Sequence, residues 1–109
     1  FGASSAAEDC TELDKVFFDL SLFEAFTKGY LESAKAVLTD REKELLFTSV
    51  ILMTYECGTR FLTDYIDGDV YFKTAYANHN LDRARNQYAL VKDMVAKRTE
   101  AEAIVKKYL

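Results

Sequence analysis

Proline and tryptophan are absent from the 109-residue sequence, glycine occurs only four times, and histidine occurs once. Without proline, no position obliges a helix to break, and the scarcity of glycine leaves few left-handed turns. No apolar run approaches the roughly 18 residues that a membrane-spanning helix requires. The two cysteines, Cys10 and Cys57, do not have the spacing of metal ligands, and we expect both thiols to be reduced. These features predict a cytoplasmic protein with no bound metal and no membrane partner.

Acidic residues outnumber basic ones by 18 to 14, which gives a net charge of -4. Nucleic acids and anionic membranes bind basic surfaces, so neither is an expected partner. Four basic residues cluster near the end of a predicted helix, where positive charge complements the helix dipole: Lys97, Arg98, Lys106 and Lys107. The sequence also lacks a nucleophile elbow, a Walker loop and a glycine-rich phosphate loop, so it predicts no catalytic residue.

Apolar residues recur at three- and four-residue steps through most of the chain. This pattern predicts an all-α fold, with three main helices and a short aromatic loop in one helical unit over residues 1–109. Residues 1–14 are small, polar and acidic, and we expect them to form an arm or loop. The first residue is Phe1 rather than methionine, so we expect a processed product or a piece of a longer protein.

Two capping signatures place the helix starts. Each is a Ser or Thr followed three residues later by Glu: Ser21 with Glu24, and Thr39 with Glu42. They predict helices over 22–38 and 40–67, the second either continuous or broken near residues 46–47. Gly68 is the natural left-handed stop after the second helix. A third helix is predicted over 80–107.

The second predicted helix is apolar on nearly every side. Between residues 50 and 66, its apolar positions leave only a narrow polar stripe. Such a helix requires neighbours nearly all round, and two other helices can cover only about half of it. The remainder is expected to meet another part of a longer protein or another copy of the chain. We therefore expect the isolated chain to self-associate.

Glu56, Arg60 and Asp64 follow one another at four-residue steps along this helix. One interpretation is a structural row of ion pairs, worth a few tenths of a kcal/mol for each exposed pair. The other is that the two carboxylates hold Arg60 rigid while its remaining donors face a ligand. The pattern alone favours the structural row.

Two further patterns look functional but have simpler explanations. Three aspartates surround Gly68 without the alternating spacing of a calcium loop: Asp64, Asp67 and Asp69. The segment HNLDRARN (79–86) resembles a kinase catalytic loop, but its aspartate falls three residues after the histidine instead of two. The segment also reads as a helix start capped by Asn80, so His79 is interpreted as a first-turn or cap residue.

The segments ECGTRFLTDYIDGDVYFK (56–73) and HNLDRARNQYALVKDM (79–94) together resemble the carboxy-terminal part of a bacterial kinase family. These are the aminoglycoside-phosphotransferase-like small-molecule kinases, and within them the anomeric N-acetylhexosamine kinases. The segment DLSLFEAFTKGYLESA (19–34) is similar to the helix that follows their catalytic segment. The resemblance implies the C-terminal helical subdomain of a protein-kinase-like fold. It also implies that ATP and magnesium bind upstream of this segment, so that the chain is inactive in isolation.

The resemblance also implies a substrate-binding site. In the sugar kinases, an arginine in the equivalent of CGTRFLTDY and a tyrosine in the equivalent of GDVYF contact the sugar; the matching residues are Arg60 and Tyr71. Arg60 would lie at the floor of an acceptor pocket, and the turn at Gly68 would bring Tyr71 over it. Fixed donors beside an aromatic surface suit a neutral polyol. The alternative is a non-catalytic helical interaction module, with the second helix as its docking face.

Overall fold

The computed structural model describes residues 3–109, which fold into four α-helices and form no named strand. The helices are α1 (Leu20–Ala34), α2 (Asp40–Asp67), α3 (His79–Ala96) and α4 (Arg98–Tyr108), and a short 3₁₀ helix (Leu13–Lys15) precedes them. The prediction of an all-α fold is confirmed. The prediction of three main helices is wrong, because the last predicted helix is divided into α3 and α4.

Helix α1 begins earlier than predicted because a different residue caps it. The side chain of Asp19 accepts hydrogen bonds from the amides of Ser21 and Leu22 at 2.9 and 3.2 Å, so the helix starts at Leu20. The predicted cap pair of Ser21 with Glu24 is wrong. Glu24 instead accepts bonds from Lys107 Nζ and the Tyr108 hydroxyl at 2.6 and 2.7 Å, which tie α1 to the end of α4. The helix ends at Ala34, four residues before the predicted end at residue 38.

Helix α2 follows the local signals closely. Thr39 and Glu42 form the capping box, with each side chain bonded to the backbone of the other residue. The helix runs without interruption through residues 46–47, so the optional break is absent. It ends at Gly68, which has a φ of 97°, and Asp69 follows with a φ of 61°.

The single helix predicted over 80–107 is interrupted at Lys97, which has a φ of -100° and a ψ of 16°. Lys97 Nζ donates to the carbonyl of Phe18 at 2.9 Å and to Asp93 Oδ2 at 2.7 Å. Helix α3 packs mainly along α2, whereas α4 packs mainly along α1. A straight helix could not follow both partners, and the break at Lys97 turns the chain from one to the other.

The core lies between the N-terminal segment, α1, the first half of α2, the second half of α3 and α4. Three aromatic rings form its centre: Phe18, Phe23 and Phe47, with centroids 5.1, 5.8 and 5.6 Å apart. Met94, Ala101 and Val105 close around them. An antiparallel bridge between Ser4 and Phe18 holds the arm against this core.

The outer face of α2, defined here as Leu45, Leu52, Tyr55 and Ile66, is only partly covered by the described residues, with Tyr55 packing on Tyr88 of α3. Leu52, Tyr55 and Ile66 are 59%, 53% and 73% exposed. The opposite side of α2 is buried against the core and α3. The expectation that two neighbouring helices cover only part of this apolar helix agrees with these exposures.

Candidate functional site

The aromatic loop, residues 68–78, returns from the end of α2 across the last turns of that helix. Asp64, only 4% exposed, holds it there. Asp64 Oδ1 accepts from the amide of Tyr71 at 2.8 Å, and Asp64 Oδ2 accepts from the amide of Phe72 at 3.0 Å. The carbonyl of Asp64 accepts from the amide of Asp69 at 2.8 Å. One residue therefore caps α2 and anchors the loop that follows it.

The carboxyl of Asp64 is ionised more readily than its burial suggests. Burial alone would raise its pKa, but hydrogen bonds from the amides of Phe72, Tyr71 and Val70 and from the Asn80 side chain together hold the pKa below its ordinary 3.8. Donors aimed at a carboxylate stabilise the charged form. The loop is thus attached to α2 by charge-assisted hydrogen bonds.

Arg60 is exposed and forms no ion pair within 4.0 Å with Glu56 or Asp64, all three being among the described residues. The expected ion pairs of Arg60 with Glu56 and Asp64, on which both interpretations of this spacing depend, are therefore wrong. Asp64 faces the loop and is occupied by its amides, and Glu56 is exposed to solvent. The guanidinium instead lies against two rings, with Cζ at 5.4 Å from the centroids of both Tyr71 and Phe72.

The two rings are set almost perpendicular to each other. Tyr71 and Phe72 have centroids 4.9 Å apart and an interplanar angle of 82°. Phe72 packs on Phe61 of α2 with centroids 4.7 Å apart, whereas the Tyr71 side chain is 73% exposed. Phe72 therefore anchors the pair, and Tyr71 presents its ring to solvent beside Arg60.

These residues surround an open pocket of about 290 Å³. Its lining combines a cation, a hydroxyl, acidic groups and apolar surface: Arg60, Thr63, Asp64, Asp67, Val70, Tyr71 and Phe72. The structure thus brings together both residues, Arg60 and Tyr71, that the kinase resemblance implicates.

His79 is the first residue of α3, as interpreted from the sequence, and both its ring nitrogens are engaged. Nδ1 accepts from the amide of Ala75 at 3.1 Å, which requires the tautomer whose Nε2 donates to Asp9 Oδ2 at 3.1 Å. The ring is 7% exposed and stacks on Tyr76. This arrangement fastens the arm to the loop and leaves no free nitrogen for proton transfer.

Sequence reasoning missed two residues beside the pocket. Asn80 was expected to cap α3 but is fully buried, and it donates to Asp64 and Asp69. Arg83 Nη1 donates to the carbonyl of Lys73 at 3.1 Å and to Asn80 Oδ1 at 3.0 Å. Its Nε lies 3.5 Å from Glu8 Oε1, within ion-pair range but without a hydrogen bond. An Asn and an Arg one turn apart in a helix predict only an exposed polar surface. No local sequence pattern therefore indicates that Asn80 and Arg83 support the pocket.

No metal-binding or redox centre accompanies the pocket in the part of the chain that is described. No group of three or more histidine, cysteine, aspartate or glutamate side chains within residues 3–109 is arranged to hold a metal ion. Cys10 and Cys57 are free thiols, and burial together with the charge of Glu8 raises the pKa of Cys57, which disfavours the reactive thiolate.

No protein-family model matches the chain. The resemblance to small-molecule kinases therefore remains a prediction. Among residues 3–109, no helix combines the length and the apolar character needed to cross a membrane.

Proposed function

We propose that this chain supplies the acceptor-binding helices of an ATP-dependent small-molecule phosphotransferase with a protein-kinase-like fold. The observation that carries the proposal is the contact between Arg60 and Tyr71, whose guanidinium carbon and ring centroid lie 5.4 Å apart at an open pocket. The same two residues are the sugar-contacting positions that the resemblance implicates. ATP and magnesium would be bound by residues outside this chain, and the enzyme would work in the cytoplasm, where ATP is available.

The chemistry of the lining favours a neutral, hydroxyl-rich acceptor. Arg60 has no hydrogen-bonded protein partner among the described residues, so its N–H groups are available to hydroxyl oxygens. Asp67 can accept from hydroxyl groups, and the exposed ring of Tyr71 can cover an apolar sugar face. An anionic acceptor would be attracted by Arg60 but repelled by Asp64 and Asp67. A sugar can accept from Arg60, donate to Asp67 and pack on Tyr71 at once.

The proposal is tested by titrating the ¹⁵N-labelled chain with N-acetylglucosamine and following the amide and arginine side-chain NMR signals. We expect weak, saturable shifts centred on Tyr71, Phe72 and the Arg60 side chain, and none with inorganic phosphate. Arg60→Lys should weaken binding about tenfold, because lysine cannot reproduce the planar fork of donors or stack on the rings. The matched control is Arg85→Lys, an exposed arginine on α3.

Two results would contradict the proposal. The first is an Arg60→Lys variant that binds the sugar as tightly as the unaltered chain. The second is a set of saturable shifts that lies away from the aromatic loop. In the complete enzyme, the same substitution should raise the Michaelis constant for the acceptor or lower the rate.

A second candidate function rests on a different surface. The outer face of α2 exposes Leu52, Tyr55 and Ile66 to more than half of their full extent. Contiguous exposed apolar surface is typical of protein interaction sites. A non-catalytic interaction module would use this face and would leave the pocket at Arg60 without a ligand.

A further inference from the structure

A buried polar network lies directly beneath the aromatic loop. Asn80 is 0% exposed and Asp64 is 4% exposed. Asn80 Nδ2 donates to Asp64 Oδ2 at 2.8 Å and to Asp69 Oδ1 at 3.0 Å, and Asn80 Oδ1 accepts from Arg83 at 3.0 Å. The orientation of the amide is determined by these partners, because its NH₂ group faces two carboxylates and its oxygen faces a guanidinium.

We infer that Asn80 and Asp64 are positioning residues for the pocket: their hydrogen bonds fix the loop backbone that places the Tyr71 ring against Arg60. Both residues would act through their hydrogen bonds to the loop, and this action requires no contact with the ligand. This inference rests on the proposed function for its consequence on ligand binding, whereas its effect on the loop can be observed without any ligand.

The Tyr71 side chain cannot hold itself in place by burial. It is 73% exposed, and its described ring contacts are Phe72 and Arg60. Its position is therefore set by the backbone, and that backbone is bonded to Asp64 through the amides of residues 71 and 72. The preceding residues, Gly68 and Asp69, both have left-handed φ values, so the turn depends on specific bonds to remain closed.

Asn80 connects to the loop both before and after Tyr71. It joins the Asp64 carboxylate to that of Asp69, two negative groups that would otherwise repel each other. It also orients Arg83, whose Nη1 holds the carbonyl of Lys73 on the far side of Tyr71. A single buried amide thus connects the anchors that precede and follow the pocket tyrosine.

Asn80→Asp tests the inference because it changes one NH₂ group into an oxygen at nearly constant shape. At pH 7 the introduced carboxylate faces Asp64 and Asp69, with Arg83 on its other side. We expect the hydrogen-exchange protection factors of the Tyr71 and Phe72 amides to fall about tenfold or more, and N-acetylglucosamine binding to weaken by a similar factor, because hydrogen bonds to a carboxylate have been lost.

The pH profile tests whether the loss comes from the charge introduced at residue 80. Burial and the two neighbouring carboxylates raise the pKa of the introduced carboxyl, and together they outweigh the single opposite charge of Arg83, so it should take up a proton as the pH is lowered from about 7 to about 5. Its single O–H can then donate to Asp64, but not to Asp69 as well, so both the protection factors and the affinity should recover in part. The unaltered chain should show no such recovery. Asn78→Asp is the matched control, since it adds the same charge at an exposed position two residues earlier.

Two results with Asn80→Asp would overturn the inference. The first is unchanged protection of the Tyr71 and Phe72 amides in the folded variant at pH 7. The second is weakened binding that does not recover at all at pH 5. Asn80→Ala, which removes the donor at every pH, should lose protection throughout; retained protection in that variant would also overturn it. If the unaltered chain does not bind the sugar, the proposed function fails, while the amide protection and its pH profile still decide whether Asn80 fixes the loop.

Discussion

Gly68 and Gly29 provide a paired test of backbone conformation at the residue scale. A Cβ atom added at either position would meet nothing within 4 Å, but Gly68 has a φ of 97° whereas Gly29 lies inside α1. Gly68→Ala should lower the free energy of unfolding by about 1–2 kcal/mol, because a left-handed conformation is costly for a residue with a Cβ. Gly29→Ala should raise it by about 0.5–1 kcal/mol. Urea unfolding followed by circular dichroism measures both, and equal effects would contradict the assigned stop at Gly68.

At the candidate site, the sequence predicts the contact partner of one residue but not of another. The proximity of Arg60 and Tyr71 was expected, since the glycine stop and the family resemblance both indicate a loop that turns back over α2. The partner of Asp64 was not expected. Four-residue spacing places Asp64 near Arg60 on a helix, but it cannot show that amides of the returning loop would occupy the carboxylate first.

At the scale of helices, Gly58 reports on the close approach of α2 and α3. A Cβ at this buried position would lie 3.0 Å from Tyr88 Cε1 and 3.1 Å from Gln87 Cβ. The Tyr88 ring has little freedom to retreat, because its hydroxyl bonds to Thr59 at 3.1 Å and its ring packs on Tyr55. Overpacking costs about 1–3 kcal/mol, against a gain of about 1 kcal/mol in helix propensity.

We therefore expect Gly58→Ala to lower the free energy of unfolding by about 1 kcal/mol, measured by urea unfolding. Gly29→Ala serves as the reference, since it makes the same change in a helix without a close neighbour. If Gly58→Ala stabilised the chain as much as Gly29→Ala does, the helices would not approach as closely as the structure shows.

Helix boundaries were predictable where the deciding contacts are local. The capping box at Thr39 and the stop at Gly68 both act within a few residues, and α2 has the predicted bounds. The break at Lys97 was missed because its partner is the carbonyl of Phe18, which is distant in sequence. The start of α1 was also missed, since Glu24 is bonded by residues of α4 instead of the α1 backbone.

At the scale of the whole molecule, the outer face of α2 is an apolar surface that is largely exposed. Leu45, Leu52 and Ile66 fall on one seven-residue register, in which Thr59 is the one polar position between Leu52 and Ile66, and Tyr55 lies three residues after Leu52 on the same stripe. A seven-residue apolar repeat is the pattern of a helix that packs along another helix. About three repeats make a short seam, so an association through this face alone should be weak and reversible.

We expect two copies of the isolated chain to associate through this face at high concentration, because pairing removes about 25 cal/mol of unfavourable exposure for each Å² of apolar surface covered. Leu52→Lys should weaken the association about tenfold or more, since it places a charge in the middle of the seam. Val37→Lys, at a residue that is 79% exposed and follows α1, is the matched control and should leave the association unchanged. Sedimentation velocity over a range of concentrations measures the effect. A chain that stays monomeric at the highest concentration, or a control that dissociates as much as Leu52→Lys, would show that the outer face of α2 is not a self-association surface.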